Sequence, residues 1–233
     1  MDNRYSILKD WLIFLWIEFR VASPAAIWLL PLIAGGGLLL LLDDHVDAST
    51  RLEYISIVVE IIFPLGIMFV ANGIILREQE EIQLAFLAVR SQLTVLFLRR
   101  IGTLLLASSV WIGALLLIYH FFYLPLSISK MILTSLSVSL ALIGISGVVG
   151  LAFKEMNAGY LIGTLWWAFC LISSKAAYAI FGPHLYLFYL WFSLGEGMST
   201  EGLLINKLAL SSVGLVLILF SILLLRPKER YFT

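Results

Sequence analysis

Six long runs of apolar residues divide the 233-residue chain. Each run is near the ~17–25 residues that a helix needs to cross the hydrocarbon core of a bilayer. Backbone groups in lipid must bond within the protein, and these runs lack the short alternating segments of barrel strands. The sequence therefore predicts an all-α, polytopic membrane protein with six transmembrane helices. The runs cover residues 24–42, 54–76, 101–123, 131–153, 158–174 and 208–225.

The composition supports this interpretation. Charged residues make up 13% of the chain and hydrophobic residues 61%, whereas a soluble domain carries about a quarter charged residues. The polar fraction is too small to cover a water-soluble globule, so we expect one transmembrane domain, residues 1–233, surrounded by the lipid bilayer. The 15 basic and 15 acidic residues balance, which argues against nucleic acid as a partner.

The distribution of Lys and Arg predicts the orientation. If the N-terminus is inside, eleven of the 15 basic residues flank the runs on the cytoplasmic side. Cytoplasmic loops of membrane proteins carry such an excess of positive charge. We therefore expect a multi-pass protein of the plasma membrane with both termini in the cytoplasm. The four basic residues assigned to the outer side are Arg51, Lys130, Lys175 and Lys207.

Two stretches outside the apolar runs predict helices that do not span the membrane. Residues 1–23 mix apolar and charged side chains, which predicts an amphipathic helix lying along the inner membrane surface. Residues 175–207 form the longest outer segment. Within it, residues 184–194 read HLYLFYLWFSL. This sequence is too short to span and too apolar for an ordinary loop, so it predicts a short re-entrant or interfacial helix.

The inner loop between the second and third runs, residues 77–100, reads REQEEIQLAFLAVRSQLTVLFLRR. Glu78, Glu80 and Glu81 lie where a helix would begin, and the helix dipole favours acids there. Apolar residues then recur at mostly helical spacing, and Arg90 follows towards the end, where a cation is favoured. The loop therefore predicts a cytoplasmic amphipathic helix of about three turns.

This arrangement resembles the permease subunit of ABC-2 type transporters. The shared features are the acidic helix start after the second span, the apolar stretch that follows, and the pair Arg99 and Arg100 entering the third span. Six spans, an N-terminal surface helix and an outer helical excursion before the last span also match that family. The sequence departs from the family pattern with Ile82 and Gln83 in place of Gly-Thr, and it lacks a proline near Ser91.

The resemblance implies that the inner loop is a coupling helix that docks on a separate ATP-binding subunit. It further implies pairing with a second permease copy or a related permease, and export of a peptide, antibiotic, lipid or other amphiphile. A simpler alternative is that both amphipathic segments only float at the headgroup boundary. The residues expected to contact the ATP-binding subunit are Arg77, Glu78, Glu80, Glu81, Phe86 and Arg90.

Enzymatic and metal sites are not expected in this chain. A Walker A sequence requires a Gly-Lys pair, and no Gly-Lys pair occurs, so any ATPase is another polypeptide and no cofactor is expected. Ser146 lies in a G-x-S-G sequence like that of rhomboid-type proteases, but the sixth run has no histidine to act as its base. The histidines show no ligand spacing, so no metal is expected; they are His45, His120 and His184.

Glu60 is the acidic residue inside the second run. A carboxylate within the membrane is costly and indicates function, here a substrate path. The alternative is that the span begins later and that Glu60 lies near the outer interface, and Pro64 is consistent with either a kink or a shifted boundary. Two other functions also remain open: an ion-coupled secondary carrier using Glu60 and Lys175, or a non-transporting immunity or sensor protein.

Overall fold

The computed structural model describes residues 48–77, 93–122, 125–181, 190 and 200–229. Within these ranges the chain is helical apart from short connections, and it contains no β-strand. The first helix is continuous from residue 48 to residue 77 but includes one π-helical turn. The elements are α1 (Ala48–Ile57), the π-helical turn (Val58–Ile62), α2 (Phe63–Arg77), α3 (Leu93–Phe122), α4 (Ile128–Phe153), α5 (Met156–Phe181) and α6 (Thr200–Glu229).

Four helical stretches among the described residues are long and apolar enough to cross a membrane. The prediction of an all-α protein is therefore confirmed for the described residues, and four candidate membrane-spanning helices support the prediction of a membrane protein. The fifth predicted run lies in α5, whose apolar part, Asn157–Ile172, is shorter. The first predicted run, 24–42, and the surface helix, 1–23, lie outside the described residues. The four stretches are Tyr54–Gly73, Phe97–Phe122, Ile128–Phe153 and Glu201–Leu224.

The helices extend beyond the apolar runs that predicted them. α5 continues to Phe181 and α6 already begins at Thr200, so both ends of the predicted outer segment 175–207 belong to helices. An apolar run marks only the lipid-facing part of a helix, whereas helical hydrogen bonding continues until a residue disfavours it. Likewise, α3 begins at Leu93, before the predicted third run.

Contacts between helices fix their relative directions. The Ser211 hydroxyl donates a hydrogen bond to the Ser137 hydroxyl at 2.9 Å, and Gly144, further along α4, lies against Gly214 and Leu217, further along α6, so α4 and α6 run parallel. α5 runs antiparallel to the first helix, because Trp167 bonds Ile61 and Tyr160 bonds Phe69. One end of the bundle, called the Lys154 end, thus holds the end of α2, the start of α3, the α4–α5 turn and the end of α6. The opposite end is called the Lys130 end.

Helix α4 lies at the centre of the bundle and packs on α2, α5 and α6. Its buried residues are mostly small, so the backbones of its neighbours can approach closely. Helices in lipid associate mainly through such close packing and through hydrogen bonds, because lipid is as apolar as their side chains. The buried small residues of α4 are Thr134, Ser135, Ser137, Ser139, Ala141, Gly144, Ser146, Gly147 and Gly150.

The outward faces of α3, α5 and α6 are apolar and exposed. Monomeric soluble proteins rarely expose contiguous apolar patches above a few hundred Å². Side chains of this kind recur along the whole length of α3 and α6, which suits contact with lipid chains. Examples are Leu106, Val110, Phe121 and Phe122 on α3, Leu161 and Leu165 on α5, and Leu215, Val216 and Leu219 on α6.

The close contact between α4 and α6 makes a stability prediction. A Cβ atom at Gly214 would lie 2.5 Å from the Leu140 carbonyl carbon and 2.7 Å from the Ala141 nitrogen, and both are backbone atoms. Gly214→Ala should therefore force the helices apart and lower the free energy of unfolding by about 1–3 kcal/mol, as overpacking does elsewhere. The measurement is a denaturation curve of the purified chain in detergent with increasing SDS.

Gly102→Ala in α3 is the matched control, because a Cβ there meets nothing within 4 Å. Alanine favours a helix over glycine by up to about 1 kcal/mol, so this variant should be as stable as the original chain or slightly more stable. Equal stability of the two variants would contradict the close-contact interpretation.

Candidate functional site

Glu60 lies within the protein interior, in the π-helical turn Val58–Ile62. Its side chain is only 4% exposed, and it falls inside the membrane-length stretch Tyr54–Gly73. The structure thus places Glu60 against other helices, inside a stretch of membrane-spanning length. An ionisable group at such a position requires a partner, since burying an isolated charge is very costly.

Pro64 accounts for the local geometry around Glu60. Proline has no N–H group and its ring crowds the preceding turn, which disrupts the regular helical hydrogen bonds. The chain responds by widening one turn, and the Phe63 N–H group bonds to the Val58 carbonyl oxygen, five residues back. Single π-helical turns inside α-helices often occur at functional sites. The kink that Pro64 suggested is thus a wide turn that carries an acidic residue.

A tryptophan from α5 bonds to this same turn. The indole Nε1–H of Trp167 donates a hydrogen bond to the Ile61 carbonyl oxygen at 3.1 Å. Where a helix departs from its regular pattern, carbonyl groups need other donors, and a buried indole N–H also needs an acceptor. The bond satisfies both groups and joins α5 to the residue next to Glu60.

Glu60 shares the interior with a buried lysine, Lys207 of α6. The Lys207 side chain is 1% exposed, and the Glu60 carboxylate acts electrostatically on its ammonium group. Nζ of Lys207 donates a hydrogen bond to the Leu190 carbonyl oxygen at 2.9 Å. Taking two ions out of water costs several kcal/mol each, and their attraction compensates only when further hydrogen bonds satisfy them. Leu190 supplies one such hydrogen bond to Lys207, and Glu60 supplies an opposite charge in the same interior.

Leu190 brings the connection between α5 and α6 into the interior. Its side chain is fully buried and belongs to a cluster with Ile61, Cys170 and Leu210. Leu190 is the residue of the predicted re-entrant segment, 184–194, that the structure describes. The other residues of that segment lie outside the described part of the chain.

The predicted contact residues for an ATP-binding subunit fall mostly outside the described residues. Arg77 is the last residue of α2. The basic pair Arg99 and Arg100 lies in the second turn of α3, where Arg100 is buried. The remaining predicted contacts precede α3 and lie outside the described ranges; they are Glu78, Glu80, Glu81, Phe86 and Arg90.

Sequence reasoning assigned Lys207 to an outer loop and paired Glu60 with Lys175 in the carrier hypothesis. The structure places Lys175 in α5 and buries Lys207, on which the Glu60 carboxylate acts electrostatically. A usable signal was present, because the apolar stretch LLINKLAL begins at Leu203 and continues across Lys207. A single charge within such a stretch indicates an intramembrane residue with an opposite charge nearby.

His120 and Ser146, which were considered for a metal site and for a protease, have structural contacts in the described part of the chain. Within the described ranges, no group of three or more His, Cys, Asp or Glu residues could hold a metal ion. His120 accepts a hydrogen bond from the Leu126 N–H group at 2.7 Å, which joins α3 to the connection before α4. The Ser146 hydroxyl is buried and donates to the Leu142 carbonyl oxygen at 2.6 Å within α4. This arrangement is typical of a packing residue rather than a nucleophile.

Comparisons of the chain with protein-family models, with curated proteins and with solved structures found no match. Support for a function therefore has to come from the sequence pattern and from the site itself.

The charge pair predicts an asymmetric response to mutation. Lys207→Met removes the cation and leaves the Glu60 carboxylate buried beside it, and breaking a buried pair in this way costs about 3–5 kcal/mol. The double variant Glu60→Gln/Lys207→Met removes both charges and should recover most of that loss. Denaturation curves in mixed detergent measure both changes.

Lys130→Met is the control, because Lys130 is an exposed lysine at the same end of the bundle. Its stability should stay within about 0.5 kcal/mol of the original chain, as for most surface substitutions. If Lys207→Met unfolds at the same denaturant concentration as Lys130→Met, the pair does not stabilise the bundle.

Proposed function

We propose that the chain is the membrane-spanning permease subunit of an ABC-2 type transporter, which exports a peptide, antibiotic, lipid or other amphiphile. ATP hydrolysis takes place on a separate subunit. The observation that carries the proposal is the acidic, then apolar, then basic sequence of residues 77–100. Residues 78–92 of this stretch connect α2 to α3, and residues 93–100 form the start of α3.

The position of this connection suits a mechanical role. α2 ends at Arg77 and α3 begins at Leu93, so residues 78–92 join the two helices at the Lys154 end. α2 packs on α4 and α5, and α3 packs on α4. ATP binding on a partner can shift the bundle between two states only through contacts that differ between those states. A partner that moves this connection therefore acts directly on α2 and α3.

Helix α2 also links the connection to the buried charge pair. About 17 residues separate Glu60 from Arg77, which corresponds to about 25 Å of helix at 1.5 Å per residue. A displacement at the Lys154 end thus reaches the wide turn through one continuous helix. In the proposal, Glu60 lines the substrate path when the bundle is open, and the path lies between two paired permeases near α2 and α5.

The orientation in this proposal puts the Lys154 end in the cytoplasm. Because Lys207 lies in the interior with Glu60, it no longer counts among the outer flanking charges. By the same criterion the buried Arg100 leaves the inner count, so three outer basic residues compare with ten inner ones. The bias of positive charge towards the cytoplasmic side is therefore stronger than the sequence count alone indicated.

Charge reversal in the connection tests the proposed contact with an ATP-binding subunit. Glu80→Lys/Glu81→Lys should weaken the complex about tenfold or more, because misplaced like charges at an interface cost several kcal/mol. Detergent-solubilised chain is purified from its native membrane, and copurifying ATP-binding subunits are identified by mass spectrometry. ATPase activity of the complex in liposomes should fall to the rate of the ATP-binding subunit alone.

Glu201→Lys serves as the matched control, since Glu201 is an exposed acid at the opposite end of the bundle. It should leave both copurification and ATPase activity unchanged. Normal copurification and normal coupled ATPase activity of the Glu80/Glu81 variant would count against the coupling assignment.

The Glu60–Lys207 pair favours a second candidate, an ion-coupled secondary carrier. Ionisable residues within membrane spans often form proton relays in transporters. This candidate requires transport in liposomes that contain the chain alone, with an imposed proton gradient and no ATP. Uptake under those conditions, lost in Glu60→Gln, would favour the carrier over the permease.

A further inference from the structure

Leu190 places irregular backbone in the interior of the bundle. It lies at a bend of the chain, outside the helices, and its side chain is fully buried. At membrane depth, backbone that is not helical is tolerated only where it is buried in protein or lines a cavity, because its polar groups need partners. The ammonium of Lys207, within the membrane-length stretch Glu201–Leu224, donates to the Leu190 carbonyl oxygen at 2.9 Å. A long apolar helix thus binds a peptide group that belongs to no helix.

The Leu190 side chain packs in an apolar cluster next to this bound carbonyl. The cluster contains buried residues from the π-helical turn and from α2, α4, α5 and α6, so five parts of the bundle contribute to it. They include Ile61, Met68, Val138, Cys170 and Leu210. The bundle therefore holds an apolar side chain and the carbonyl of the same residue together, and these are the two groups that an apolar peptide presents.

We propose that Lys207 and this cluster form a binding site for an apolar peptide, and that Leu190 fills the site as the chain's own stand-in for the ligand. This inference rests on the proposed function, since it narrows the exported amphiphile to a peptide with leucine-like side chains. When the substrate binds, one of its carbonyl groups replaces the Leu190 carbonyl on Lys207. One of its side chains then takes the position of the Leu190 side chain in the cluster.

The chemistry of a lysine suits a carbonyl that exchanges. An ammonium carries three N–H donors, and within the described part of the chain it forms the hydrogen bond to Leu190. A peptide presents a carbonyl at every residue, so a bound peptide can meet more than one of these donors. Charged residues inside membrane spans often pair with backbone carbonyls and mark substrate pathways. A fixed structural contact would need only a neutral donor, which avoids the cost of burying a charge.

Equilibrium binding of a blocked peptide to the full chain in nanodiscs tests the site. The ligand is radiolabelled N-acetyl-trileucine amide, which has no charge, and binding to empty nanodiscs is subtracted. Leu190→Ala weakens the stand-in by a factor of about 30 or more, because it truncates a fully buried leucine. Apparent affinity rises with the fraction of sites that are open. The variant should therefore bind the peptide about tenfold more tightly than the original chain, or more.

Leu210→Ala is the matched control, because Leu210 is also fully buried in the same cluster. It removes a side chain of equal size but leaves the Leu190 carbonyl on Lys207, so the affinity should stay close to that of the original chain. Leu190→Ala/Lys207→Met should lose the gain, since methionine is apolar and has no N–H donor. N-acetyl-triserine amide should bind weakly to every variant, because its side chains do not suit an apolar cluster.

Two results would overturn the proposal. One is an equal gain in Leu190→Ala and Leu210→Ala, which a new cavity alone would explain, and the other is no gain in Leu190→Ala. If a variant does not fold, competition on the original chain decides: a branched hydrocarbon of similar apolar area has no carbonyl and should not displace the peptide. Displacement by the hydrocarbon would overturn the role of Lys207. None of these measurements uses ATP or a partner subunit, so their failure is distinct from a failure of the coupling test at Glu80 and Glu81.

Discussion

Close backbone contact around α4 is the constraint on which the described bundle depends. Between helices in lipid the hydrophobic effect provides no net attraction, so packing has to supply it. α4 supplies it through glycine, alanine and serine, and the contacts of Gly144 with Gly214 and of Gly159 with Ser146 leave no room for a Cβ atom. Once α2, α5 and α6 pack against α4, Trp167 bonds to the turn that holds Glu60, and Lys207 is buried in the same interior.

The charge pair is exceptional in this setting. Five of the twelve buried polar side chains in the described core are hydroxyls that bond to carbonyl groups of their own helix, such as Ser137 and Ser139. Lys207 instead links α6 to the backbone of Leu190, and the Glu60 carboxylate acts on it electrostatically. A permease and an ion-coupled carrier would both use such a link, since each must alternate between two arrangements of one bundle. The link therefore indicates that the bundle moves, but it does not indicate which energy source drives the movement.

The apolar runs predicted the existence and the order of the described helices, because length and hydropathy alone determine which segments can cross a bilayer. They did not predict the helix ends, since α5 and α6 continue into polar sequence. Lys207 was misplaced because its charge was taken as the end of a run. Its pairing with Glu60 could not be derived, because partners distant in sequence are determined by packing. Pro64 did indicate a local irregularity, but the form of the irregularity, a wide turn, depends on neighbouring helices.

The hydroxyls of α4 have one more consequence. Because Ser139 and Ser146 are satisfied by carbonyl groups within α4, most contacts across its surface involve dispersion forces and carry little directional bonding. Dispersion contacts between small side chains change gradually as one surface slides over another. A shift of a neighbouring helix along α4 therefore leaves the Ser139 and Ser146 hydroxyls satisfied, whereas a shift of α6 breaks its hydrogen bond from Ser211 to Ser137. Small sliding of packed helices is a way in which many proteins change conformation, and this serine bond makes α6 the neighbour that resists such sliding.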